Sequence, residues 1–202
     1  MEKKWIIAFL FIVFLIGGFY NNKPYSQETV QNISEQIILP VKAHIIIDSS
    51  GYYTSARDNQ NIFNLFEKVN KIWSQADISL SLEEIVFTEV EPVTIPNTIN
   101  GNRQALYSHK NFDENQINIF FTQSLNGING LALMDINSAL VSDYTTVNDF
   151  RATSHEIGHI FGLRHVNPSN RLLARGKNGE LLSQEEISIA RENAENILKV
   201  IK

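Results

Sequence analysis

The chain has 202 residues, 43% of them apolar and 19% charged, which suits one globular domain with a sizeable core. Its net charge of −5, with no basic run interleaved with aromatic residues, argues against a nucleic-acid partner. There are no cysteines, which excludes disulfides, a thiolate metal ligand and a cysteine-based latency switch.

Trp5 to Tyr20 form one apolar run behind Lys3 and Lys4, the layout of a secretory signal or of an anchor that keeps its N-terminus in the cytoplasm. The run is shorter than the roughly 20 residues that span a bilayer comfortably, and no small-x-small cleavage site follows it. Residues 1–20 are therefore expected to be a signal peptide or an N-terminal membrane anchor, residues 21–36 a polar linker, and residues 37–202 the folded domain. That layout implies an extracytoplasmic protein, secreted or held at the membrane through residues 5–20.

Ile37 to Asp48 reads as a first strand, with Val41, Ala43, Ile45 and Ile47 on one face and Lys42, His44 and Ile46 on the other. Asp58 to Gln75 carries Ile62, Phe66, Val69 and Trp73 on a helical stripe that should back a sheet. Ile78 to Val90 is a second strand, interrupted by a turn or bulge at the solvated pair Glu83–Glu84. Pro92 to Lys110 has the composition of a surface loop, with His109 exposed on it. Gln116 to Gln123 alternates as a third strand. After the glycine turn at 126–130, Gly130 to Ile136 and Ala139 to Tyr144 complete the sheet. Asp143 reads as a turn residue, and Asn148 or Asp149 as the cap of a following helix.

That helix carries the chemistry, in Thr153-Ser154-His155-Glu156-Ile157-Gly158-His159-Ile160-Phe161-Gly162-Leu163-Arg164-His165. Residues four apart stack on one face of a helix, so His155 and His159 can present ring nitrogens to one ion while Glu156 points about 100° away, beside it. Gly162 can take the positive φ that reverses the chain after the helix, which is expected to run to about Leu163, and so brings His165 in as third ligand. Three neutral imidazoles hold Zn²⁺ at about 2.0–2.1 Å and leave a fourth position to water, whose pKa the metal lowers toward roughly 7. Glu156 is placed to be its base. His44 and His109 stand far apart in different elements, so one catalytic zinc per chain is expected.

The stretch from His155 to His165 resembles the zinc signature of the metzincin clan of metalloendopeptidases. In matrixin-like members a methionine turn falls eight residues after the third histidine; here Asn170 to Gly176 looks like that turn with Leu173 in the methionine's place. The resemblance implies an α+β zincin domain over residues 37–202: a twisted, mixed five-stranded sheet with a backing helix, a zinc-binding active-site helix and a C-terminal helix. It also implies that Leu131, Ala132 and Leu133 form the exposed edge that binds substrate in extended form. A free edge does offer unpaired backbone groups to any extended peptide. Matrixin domains often carry an additional structural zinc built largely from histidines, for which only His44 and His109 are spare here, and no tyrosine lies beyond the turn, Tyr144 being the last.

After the turn, Ser183-Gln184-Glu185-Glu186 has the S-x-x-E capping box, and Ile187, Ala190, Ala194, Ile197, Leu198 and Ile201 keep helical spacing to the end. Leu172, Leu173, Ala174, Leu181 and Leu182 read as the apolar wall of the pocket for the side chain after the scissile bond, with Arg175 and Lys177 solvated beside it. The function expected is a zinc metalloendopeptidase acting as a monomer on extended protein segments. The alternative is a zinc-stabilised surface binding domain without proteolysis.

Overall fold

The computed structural model describes residues 35–201. The expectations for the leader or anchor at 1–20, and for most of the linker at 21–36, fall outside them. Five strands form one sheet: β1 (Ile37–Asp48), β2 (Ile78–Val90), β3 (Ile117–Thr122), β4 (Gly130–Leu133) and β5 (Ser138–Ser142). Their order is β2-β1-β3-β5-β4, parallel except for β4, which runs antiparallel to β5. The helices are α1 (Asn59–Trp73), α2 (Thr94–Ile99), α3 (Gln104–Tyr107), α4 (Asp149–Ile160) and α5 (Gln184–Val200). This is the α+β architecture, with a mixed five-stranded sheet, that the resemblance implies.

β1 is buried on both faces, which is why its sequence is a nearly continuous apolar run. Leu39, Val41, Ala43 and Ile45 enter the main core with α1, α4 and α5, while Ile46 enters a second core on the other face. Ile47, expected beside Val41, is exposed. α1 begins with a reciprocal cap, Asn61 N–H donating to Asp58 Oδ1 at 2.7 Å and Asp58 N–H to Asn61 Oδ1 at 3.2 Å. Its last buried side chain, Trp73, meets the Phe161 ring edge-on at 4.9 Å, tying the backing helix to the end of α4.

The segment 92–110 is not a plain surface loop. It holds α2 and α3, whose Ile95 and Leu106 are fully buried against Phe120 and Leu140 and cover the second face of the sheet. Helices of six and four residues are too short to show a periodic stripe, so their Pro, Asn and Gly dominate the sequence signal.

β2 and β4 are the two edges of the sheet. Along β2 the Glu83–Glu84 interruption is a bulge, Val41 facing Leu82 and Lys42 facing Glu84. Side chains seal the rest of that edge. Asn70 accepts from Leu80 N–H and donates to Leu80 O, Asn111 donates to Phe87 O at 3.2 Å, and His109 Nε2–H donates to Glu89 O at 3.0 Å. His109 is thus half-buried and engaged rather than free. Among the described residues no strand pairs with the outer side of β4, where the Ala132 backbone bonds the Glu156 side chain.

Among the described residues, no helix is long and apolar enough to cross a membrane. The longest, α5, has only an apolar stripe of Ala190, Ala194 and Ile197, and that stripe packs into the core. The placement of the chain as extracytoplasmic, secreted or membrane-anchored is therefore corrected. It rested on an apolar run outside the described residues, and no spanning helix within them supports it.

Candidate metal centre

α4 lies almost wholly in the interior, Arg151 to Gly158 all being buried. Its N-terminus is held from outside. Asn148 occupies the cap position without a side-chain cap bond, its own N–H donating to Asn178 Oδ1 at 2.8 Å, while Asp149 accepts from Phe150 N–H and from Arg57. Asp143, read as a turn residue, is the anchor of this corner: it accepts from Arg57 Nε at 2.9 Å, Ser55 Oγ and Ala56 N–H.

The helix ends at Ile160, three residues before the expected Leu163. Gly162 takes φ of +78°, its N–H donating to His159 O and Leu163 N–H to Gly158 O at 2.9 Å, the paired bonds of a Schellman ending. A side chain at 162 would meet Asn193 Nδ2 at 2.9 Å in a backbone conformation that L-residues avoid. The reversal delivers His165 as anticipated. The next residue, Val166, then bridges in parallel to Ala174.

The three histidines converge. His165 Nε2 lies 3.1 Å from His155 Nε2 and 3.2 Å from His159 Nε2, and the three ligand atoms fall within 4.8 Å of one another. Nitrogens placed tetrahedrally at zinc bond lengths stand about 3.3–3.4 Å apart, so the spacing fits zinc. The outer ring atoms agree. His155 Nδ1–H donates to Leu172 O and His159 Nδ1–H to Leu163 O, each at 2.8 Å, which leaves both Nε2 atoms as bare lone pairs aimed at one point. Burial pushes the His155 pKa down to about 4 and lowers that of His159, so both stay neutral as ligands need.

Glu156 is buried beside this cluster, and that burial raises its carboxyl to about 7, against a hydrogen bond from the Ala132 backbone and the Arg151 charge, which lower it. It touches the edge strand: a Cβ built on Gly130 would stand 2.5 Å from Glu156 Cγ and 2.9 Å from Oε1. Leu131, Ala132 and Leu133 follow on β4, pairing with Leu140, Ala139 and Ser138 of β5 on one side only.

The turn after His165 packs beneath the helix. Leu173 is fully buried, and its Cδ2 would lie 3.2 Å from a Cβ on Gly158, so the leucine fills the space under the ligand helix. Leu172 and Ala174 are buried with it and cannot wall an open pocket as expected; Leu181 alone of that set is exposed. The chain faces these side chains inward because its carbonyls are taken by Arg151. Arg151 Nη2 donates to Leu172 O at 2.6 Å and also to Ala174 O. Leu172 O thus serves both Arg151 and His155 of the converging cluster. The sequence reading missed Arg151, although its place one turn before His155 puts it on the ligand face.

Residues 59–166 match the model of the metallo-peptidase family M12B, reprolysin-like. The chain belongs to this family. This reprolysin-like metallopeptidase is similar in fold to archaemetzincin from Methanopyrus kandleri, at 12% identity and a TM-score of 0.56 over 82% of this chain and 99% of that one. It is also similar to a chain in the structure of a chaperone-substrate complex, at 13% identity and a TM-score of 0.53 over 81% of this chain and 35% of that one. Metalloproteinase-II from Bacteroides fragilis matches at 12% identity and a TM-score of 0.49 over 78% of this chain and 53% of that one. No curated protein matches by sequence.

The reprolysin-like match bears out a metzincin-type zinc metallopeptidase acting on protein or peptide, with His155, His159 and His165 fitting the zinc site. Tyr144 is 72% exposed, out on the surface after β5.

Proposed function

We propose that the chain is a zinc-dependent endopeptidase that hydrolyses peptide bonds of extended protein segments, with His155, His159 and His165 as metal ligands and Glu156 as general base. The observation that carries this reading is the position of Glu156. It is buried on the ligand helix next to two ligands and pressed against the backbone of the open edge strand. A peptide laid along Leu131, Ala132 and Leu133 bonds main chain to main chain, and so brings its amides alongside that carboxylate whatever its sequence. Zinc, when bound, supplies a Lewis acid that polarises the scissile carbonyl and acidifies a water.

The Glu156 carboxylate then takes the proton from the attacking water and returns it to the departing amine nitrogen. Leu173 serves as the apolar floor in the place of the methionine turn. The matrixin likeness is kept for that turn alone. Because the ligands and the carboxylate all stand together, nothing favours the inactive binding domain over the enzyme.

The test is Glu156→Gln. The variant should keep one zinc per chain and lose turnover of unfolded protein by about 10² or more. Undiminished proteolysis would remove Glu156 from the mechanism.

A further inference from the structure

The three ligand rings are not held alike. His155 and His159 each give their Nδ1 hydrogen to a main-chain carbonyl, whereas His165 Nδ1 faces Arg175 Nε at 3.0 Å. A guanidinium only donates, so in this contact Nδ1 is the acceptor and the ring hydrogen sits on Nε2. That is the atom that points at the metal position. Zinc taken by a neutral His165 through Nε2 requires the hydrogen on Nδ1, and two donors then confront each other. Zinc loading through Nε2 would therefore require the Arg175 head to turn away from Nδ1.

It would not go far. Ala174 is held through its carbonyl by Arg151 and through its bridge to Val166, so the backbone of residue 175 stays beside the third ligand. The side chain is exposed. Among the described residues the ion pairs engage Lys42, Arg57, Arg103, Arg171 and Arg191, and none engages Arg175. Zinc loading would thus free a planar fork of donors at the rim of the metal centre, where Leu172, Leu173 and Ala174 of the expected apolar wall are sunk in the core.

We propose that Arg175 reads a carboxylate of the peptide substrate beside the zinc, so that the enzyme selects acidic rather than apolar residues near the scissile bond. A bidentate guanidinium–carboxylate pair gives both the energy and the geometry for such a choice. The proposal rests on the endopeptidase reading above. Two sources supply that chemistry, an Asp or Glu side chain and a free C-terminus.

Three quenched fluorescent peptides separate them: one end-blocked with Glu scanned across the positions flanking the cleaved bond, its Gln counterpart, and a Gln peptide with a free C-terminal carboxylate. kcat/KM is read on the wild-type chain and on Arg175→Gln, and Kd by anisotropy on zinc-loaded Glu156→Gln with and without Arg175→Gln. At one position a carboxylate should improve both readings about tenfold or more, and Arg175→Gln should erase the gain. Gain with the Glu peptide assigns a side chain, and gain only with the free terminus assigns the terminal carboxylate. Arg175→Gln should also hold zinc at least as tightly as the wild type in a chelator competition.

Three results would overturn the proposal: no preference for a carboxylate, a preference that survives Arg175→Gln, or weaker zinc binding in that variant. If the wild type cleaves no peptide, the endopeptidase reading fails, while the anisotropy arm still decides the role of Arg175.

Discussion

The contact between β4 and Glu156 makes Gly130→Ala a sharp perturbation of the proposed base. The added methyl would stand 2.5 Å from Glu156 Cγ and 2.9 Å from Cδ, where ordinary van der Waals contact begins at 3.4 Å. About 1 Å of separation must open. The strand is pinned by pairing to β5, and Glu156 is 8% exposed, so the side chain and the edge strand are forced apart at the place where substrate and base have to meet. A misplacement of about 1 Å costs roughly 10² in rate, and overpacking of this kind costs about 1–3 kcal/mol of stability. The histidines are not touched. Steady-state cleavage of a quenched peptide should therefore fall about a hundredfold, while metal analysis still finds zinc on the variant and its unfolding transition moves only by the overpacking cost. Wild-type kcat/KM in a folded, zinc-bearing Gly130→Ala chain would refute the juxtaposition of base and edge strand.

Leu173→Met should change urea stability by less than about 1.5 kcal/mol, since volume is nearly kept, whereas Leu173→Ala should lose about 2–5 kcal/mol from a fully buried site; equal effects would show that the floor does not pack as described. Arg151→Met leaves the Leu172 and Ala174 carbonyls without their donor and should weaken zinc binding about tenfold or more in chelator competition, an effect that unchanged affinity would contradict. His44 is fully buried, stacked on Phe120 and bonded to Thr88 and Asn118, and burial holds its pKa down at about 4 against an ordinary 6.5. Between those values the unfolded chain binds a proton that the fold refuses, so stability present in full above pH 6.5 falls by about 3 kcal/mol as pH drops to about 4. Urea titrations at pH 7 and pH 4 should show that loss shrinking by about this amount in His44→Gln, and an undiminished loss would exclude the histidine as its source.

Long elements with a strong period were legible from residues alone. β1 was read to its observed bounds, and the α5 start follows from Ser183 and Glu186, whose reciprocal bonds are present at 3.2 and 2.9 Å. The histidine spacing and Gly162 foretold the convergence of the three rings, because helix geometry and one positive φ fix it with little help from the rest of the chain. What was missed depends on contacts between segments distant in sequence. Nothing local tells that Gly130 must lie against Glu156, or that Arg151 is buried with carbonyls as its partners. Leu172, Leu173 and Ala174 are apolar enough for either a pocket or a core, and only the packing of the turn under α4 sends them inward. His44 illustrates the same limit, since a strand buried on both faces hides which polar side chain has found partners on its neighbours.

Three converging imidazoles make this reprolysin-like chain a zinc peptidase. The direct measurement is metal content and cleavage of mixed unfolded proteins on one preparation, before chelation, after it, and after zinc is restored. One zinc per chain, cleavage abolished by the chelator and regained with zinc, is the predicted result; cleavage that persists in the metal-free chain, or a zinc-loaded chain that cleaves nothing, would contradict it.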